Sequence, residues 1–137
     1  MSVRVVRLGT ERVPGEGTRI GTVRRPPRGV RKDQIAARDF YDVWFPLLAP
    51  SVETMTAFRR EMTDAAWKRF GRTYRKEMAR PDPSHALDLL ATLSRGTDFS
   101  VGCYCEDETR CHRSILRALL VERGVRFERS VGRWPRC

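Results

Sequence analysis

Residues 98–123 change their hydrophobic period once, and that change constrains the fold more than any other stretch of the chain. The segment DFSVGCYC, 98–105, reads as a strand, followed by five polar residues. The next stretch, RCHRSILRALLVER, repeats Ile115, Leu116, Leu119 and Leu120 at helical spacing and stops at Gly124. A strand that turns into a helix after a short polar link is the building unit of α/β folds.

The rest of the chain supplies partners for that unit. VRVVRL (3–8) and TRIGTV (18–23) read as two further strands, separated by the turn VPGEG. RRPPRGVRK (24–32) interrupts regular structure with two prolines, a glycine and five basic residues. FYDVWFPLLAPS (40–51) reads as a buried irregular segment or short helix. Ser51 is placed to cap a helix with the stripe Val52, Met55, Phe58 and Met62. A second helix begins near Thr63 or Asp64, with Trp67, Phe70, Tyr74 and Met78 on one face. A third starts with Asp82 as cap and Pro83 in its first turn, and turns Ala86, Leu87, Leu90 and Leu93 inward. VRFERSV (125–131) reads as a last strand or the start of a tail. Interleaved strands and helices without repeats predict a small α/β fold: a partly parallel sheet of three to four strands with packed helices. The domain is expected over 1–124, with 125–137 as a C-terminal strand or basic tail.

At 137 residues the chain suffices for one core and is too short for two ordinary domains. No apolar run reaches the length of a membrane span, and MSVRVVRLGT lacks the apolar region of a secretory signal. The expected location is the cytoplasm, where cysteines stay as thiols. The 27 Lys and Arg against 17 Asp and Glu leave a net charge of +10. Such a surface attracts phosphate-bearing partners, including nucleotides, DNA and RNA, although an arginine-rich composition alone also yields the total. Arg123, Arg126, Arg129, Arg133 and Arg136, with Phe127 and Trp134 among them, extend the basic character to the C-terminus.

Three of the four cysteines and one of the two histidines fall in CYCEDETRCHRS, 103–114. Alternation along the strand turns Cys103 and Cys105 the same way. With Thr109 as N-cap, Arg110, Cys111 and His112 occupy the first helical turn, where the helix dipole favours anions and lowers a thiol's pKa. Four readings fit these residues. One is an anion site made by helix N–H groups and Arg113. A second makes Cys111 or Cys105 a nucleophile, with His112 as base and Glu106 or Asp107 as the orienting acid. A third is zinc on Cys103, Cys105, Cys111 and His112; the donor set suits zinc, whereas the spacing departs from the usual pattern. In the fourth, the cysteines fill core space as small hydrophobes. Cys111 to Arg117 also matches the C-x5-R spacing of phosphatase loops, but the interval HRSIL is helical and lacks glycine.

With these segments identified, the chain resembles the YeaO-like proteins of the DUF488 family over about residues 3–123. The resemblance rests on VRVVRL, on PRGVRKDQ (27–34), and on YDVWFPLLAPS with Asp42, Trp44, Leu48, Ala49, Pro50 and Ser51. WKRFGRTYRKEM and the ending CYCEDETRCHRSIL also carry it. Val23 and Pro26 stand where the family often has an acid and a tryptophan, while Arg24 and Arg28 remain. The resemblance implies a compact α/β fold and no particular reaction.

If the strands before Arg24 and before Cys105 lie parallel, both following loops leave from one edge of the sheet. The resulting expectation is a cleft that takes a phosphorylated ligand, nucleic acid or nucleotide, through Arg24, Arg28, Cys105 and Arg113. Thiol chemistry would run on Cys111, His112 and Glu106. The alternative is a zinc-stabilised interaction module without catalysis.

Overall fold

The computed structural model describes residues 2–105 and 108–128. Strands β1 (Val3–Arg7), β2 (Thr18–Gly21), β3 (Val43–Trp44) and β4 (Phe99–Cys103) form one sheet in the order β1-β4-β2-β3. All three pairings are parallel. The sheet is therefore more uniform than the partly parallel arrangement expected. Helices α1 (Val52–Glu61), α2 (Asp64–Met78) and α3 (Pro81–Leu93) intervene between β3 and β4, and α4 (His112–Glu122) follows β4. Every residue of the central strand β4 is buried, as a strand with a neighbour on either side and cover on both faces requires.

The two faces of the sheet are covered differently. On one, Val3, Val5, Ile20, Phe99 and Val101 meet Phe70, Tyr74 and Met78 of α2, Leu87 and Leu90 of α3, and Leu116, Leu119 and Leu120 of α4. The other cover is irregular chain: Val6, Leu8 and Val23 pack with Ile35, Tyr41, Cys103 and Cys111. Buried arginine supplements this thinner layer. Arg19 is 0% exposed and makes two hydrogen bonds to Glu16, from Nε at 2.9 Å and Nη2 at 2.8 Å. Its Nη1 donates to the carbonyls of Thr10 and Asp39, at 2.8 and 2.7 Å.

Several local expectations need correction. Helix α1 does not bury its stripe: Val52 is 45% and Met62 64% exposed, while Thr54 is buried. This helix packs at the periphery against the aromatic start of α2, where Phe58 meets Trp67 and Phe70. Met62 ends it in the left-handed region, at φ 52°. Helix α3 starts at Pro81, two residues before the expected first turn, because proline already has the φ of a first helical position and needs no N–H there. Leu93 of α3 is exposed rather than inward. Thr109 does not cap α4; residues Glu108–Arg110 form a short 3-10 turn, and the extended residue Cys111 precedes His112. Extended geometry at Cys111 lets the chain bury this thiol before the helix begins.

After α4, Val125 is buried, and Phe127 makes a parallel bridge to Val3 at the outer side of β1. Residues 129–137, with Arg129, Arg133, Trp134, Arg136 and Cys137, lie outside the described residues. Among the described residues, no helix is long and apolar enough to cross a membrane.

Candidate functional site

Strands β2 and β4 are parallel neighbours with Gly21 opposite Gly102, so their carboxyl ends open on the same edge. Close packing requires glycine at 102, because a Cβ there would lie 2.9 Å from the Val6 carbonyl oxygen of the neighbouring strand. Thr22 leaves β2 at this edge, Cys103 ends β4, and Cys111 with His112 opens α4. The carboxyl edge of a parallel sheet is where such folds usually place their chemistry.

Here the sulfurs converge. Cys111 Sγ lies 3.2 Å from Cys103 Sγ, which lies 3.4 Å from Cys105 Sγ. His112 Nδ1 is 3.7 Å from Cys111 Sγ. Cys103, Cys111 and His112 are buried, and their ligand atoms fall within 4.8 Å of one another. Cys105 is exposed at the rim. The spacing argument against zinc therefore fails. Cys103, Cys111 and His112 share one point, and Cys105 touches it through Cys103.

The orientation of His112 follows from its partner. Nε2 is 2.7 Å from the carbonyl oxygen of Thr22, which can only accept, so Nε2 carries the proton. Nδ1 is left with a lone pair on the cysteine side. Tyr74 packs edge-on against the imidazole, with ring centroids 5.6 Å apart. Burial lowers the His112 pKa to about 4, so the ring is neutral at ordinary pH.

The thiols divide the charge among themselves. Hydrogen bonds with Cys105 and Cys111, with burial added, push Cys103 well above its ordinary value. Burial opposes ionisation of Cys111 too. Its hydrogen bonds with Cys103 and Cys105, the charge of Arg113 and the Arg113 backbone N–H outweigh that and hold it well below the thiol range. Of the three thiols, Cys111 is the one whose ionisation its neighbours favour.

The arginines expected at this turn go elsewhere. Arg113 is 0% exposed and donates to the carbonyls of Val6 at 2.9 Å and Cys105 at 2.6 Å. These bonds tie β1 and Cys105 to α4. Arg24 donates to Pro50 O at 3.1 Å and Ala49 O at 2.9 Å, in the segment before α1. It lines a separate hollow of about 480 Å³ with Leu47, Ser51, Glu77, Arg80 and Pro81. Arg28 is exposed in the loop after β2. That loop does pass beside the cysteine turn: Tyr104 Oη donates to Arg25 O at 2.9 Å, and Val30 packs on the layer that contains Cys103 and Cys111. Glu106, the expected acid, and Asp107 lie outside the described residues.

The YDVWFPLLAPS residues that carried part of the sequence resemblance make scaffold contacts. Asp42 accepts the Arg19 backbone N–H at 2.8 Å, and Trp44 Nε1 donates to Val23 O at 2.8 Å. Leu48 O accepts from Tyr74 Oη at 2.7 Å, and Ser51 caps α1. Thr22, whose carbonyl fixes the His112 tautomer, carries no signal in sequence because its partner is 90 positions away and the contact uses backbone.

A small, wholly parallel α/β protein with a thiol–imidazole cluster at its carboxyl edge is the class defined by fold and site. A family model described as the active DUF488-N3 subclade, DUF488-N3a, matches residues 3–124, and the chain belongs to the DUF488 family. No curated protein and no solved structure matches it.

Proposed function

We propose that the protein is a zinc-binding member of its family, with the ion on Cys103, Cys111 and His112 Nδ1 and with Cys105 closing the fourth position. The observation that carries this reading is the His112–Thr22 hydrogen bond. A metal-ligating histidine ordinarily donates its other N–H to a carbonyl or carboxylate, which sets the ring's tautomer and angle. Here that bond leaves the lone pair beside two buried sulfurs. Zinc–sulfur bonds of about 2.3 Å at tetrahedral angles separate sulfurs by about 3.8 Å. Opening the present 3.2 and 3.4 Å contacts by about half an ångström would admit the ion. Three thiols and one imidazole form a soft, closed set of the structural kind.

Elemental analysis of purified protein should find about one zinc per chain, and chelation should lower the melting temperature by at least 10 °C. Cobalt loading should give sulfur-to-metal charge-transfer bands that weaken in Cys111→Ser. Protein refolded with excess zinc that still holds less than a tenth of an equivalent would end the reading.

A second reading is favoured by the depressed pKa of Cys111 and by the family model's description as active. In it, Cys111 is a nucleophile, with His112 as the neighbouring base and Glu106 as acid. Alkylation of Cys111 should then proceed at full rate well below pH 8, and Cys111→Ser should abolish turnover. A phosphorylated ligand, nucleotide or nucleic acid, belongs to either reading as the cytoplasmic partner. Its support is the net charge of +10 and the pairing of Arg24 with Arg80 around one hollow. Affinity for such a ligand should fall steeply with salt.

A further inference from the structure

We propose that Cys105 is an oxidisable entry thiol, attacked by peroxide-class oxidants and resolved by Cys103 into a Cys103–Cys105 disulfide. The disulfide itself does not depend on the zinc reading; only the consequence, loss of the ion, rests on it.

The three sulfurs form a chain that runs inward from the surface. Cys105 is exposed, whereas Cys103 and Cys111 are buried. An oxidant from solvent therefore meets Cys105 first. Its sulfur already touches Cys103 Sγ at 3.4 Å, and the Cys105 backbone N–H points at the same sulfur at 3.4 Å. Arg113 holds the Cys105 carbonyl at 2.6 Å, which fixes the turn that makes this contact. Cys103 in turn touches Cys111 at 3.2 Å.

In the first step the Cys105 thiol gives up its proton, which leaves with the departing hydroxide as water, and its sulfur attacks one peroxide oxygen. The O–O bond breaks, and Cys105 becomes a sulfenic acid. The Cys103 sulfur then attacks the Cys105 sulfur. The S–S bond forms, the S–O bond breaks, and the hydroxyl leaves as water with the Cys103 proton. Two thiols and one peroxide give one disulfide and two waters. A third step needs no further oxidant. The Cys111 thiolate attacks the Cys103 sulfur, forms Cys103–Cys111 and releases the Cys105 thiolate. Either disulfide removes two donors from the set that would hold a metal.

The test uses the full chain carrying Cys137→Ser, so that 103, 105 and 111 are the only thiols. Reduced protein, zinc-loaded or chelator-treated, is exposed to equimolar hydrogen peroxide, alkylated and digested with trypsin. Cleavage after Arg95 and Arg110 leaves Cys103 and Cys105 on one peptide and Cys111 on another. The expected early product is an unalkylated 96–110 peptide lighter by two hydrogens, followed by a cross-link to the Cys111 peptide. Cys105→Ser, a change at an exposed site, should slow disulfide formation at least ten-fold. In Cys103→Ser, dimedone should trap a sulfenic acid at Cys105. Wild-type oxidation rates in Cys105→Ser, or disulfides only between chains, would overturn the proposal. Zinc content measured on the same samples separates the two ideas. A disulfide in protein that never binds zinc rejects the metal alone, and bound zinc with no disulfide in chelated protein rejects the switch alone.

Discussion

The two faces of the sheet bury their residues by different physics. The helical face is an apolar layer in which aromatic and leucine side chains from three helices interlock. The opposite face has no α-helix among the described residues; a thinner apolar layer of irregular chain covers it, and buried guanidinium groups tie that chain to its surroundings. Arg19 gathers two loop carbonyls and Glu16, and Arg113 gathers carbonyls from β1 and the cysteine turn. An apolar layer spreads its stabilisation over many small contacts, so that one lost contact is shared among neighbours. A polar layer concentrates it in a few groups that are costly to leave unpaired. The cysteine–histidine cluster stands where the two meet, with His112 against Tyr74 on one side and Cys103 and Cys111 in the thin layer on the other.

That contrast breaks most sharply at Arg19. Arg19→Ala leaves the buried Glu16 carboxylate and the Thr10 carbonyl without their Arg19 donor and should cost about 3–5 kcal/mol in denaturant unfolding. The double change with Glu16→Leu should recover only part of that loss, because the Thr10 carbonyl loses its Arg19 donor and the Asp39 carbonyl keeps only the Gly9 N–H. A single Arg19→Ala chain as stable as wild type would remove the distinction between the faces. On the helical side, Leu116→Ala, at a 0% exposed position, should cost about 2–5 kcal/mol, scaled by the cavity it leaves.

Acid reads the junction between the layers. His112 takes up a proton near pH 4 in the fold, against about 6.5 for an ordinary histidine. The unfolded chain therefore binds more protons across this window. The histidine's contribution is fully present above pH 6.5 and is lost as pH falls toward 4. Urea midpoints of metal-free protein should drop between pH 7 and 4.5, and His112→Asn should flatten the drop. The smallest effect is expected at the periphery. Met62 is exposed in a left-handed conformation, so Met62→Gly should raise stability by about 0.5–1 kcal/mol in thermal unfolding.

The helical face was legible in sequence because its signal is periodic. The spacing of Phe70, Tyr74 and Met78, and of Leu116, Leu119 and Leu120, is the packing surface itself. Helix α1 misled because Val52 and Met62 obey the same spacing without a layer to enter. The thin face was less legible because its apolar residues, among them Val23, Ile35 and Tyr41, are scattered along irregular chain without a period, and because buried arginines supplement them, a residue type that suggests surface. Nothing local distinguishes Arg19 or Arg113 from the exposed Arg25 or Arg28. At the cluster, the residue types stood out at once, whereas their convergence depended on a turn whose path spacing does not encode. The role of Glu106 stays an expectation from sequence, because that residue lies outside the described part of the chain.

The order β1-β4-β2-β3 has a consequence for assembly. The first two strands never touch each other; both wait for β4, which is made some eighty residues after β2. A nascent chain therefore cannot close its sheet until Cys103 has left the ribosome, and truncation before Phe99 should yield no stable fold. His112 meets Thr22 only after that closure. Any ion the cluster takes is thus acquired late, as the seal on a finished fold rather than the seed of one.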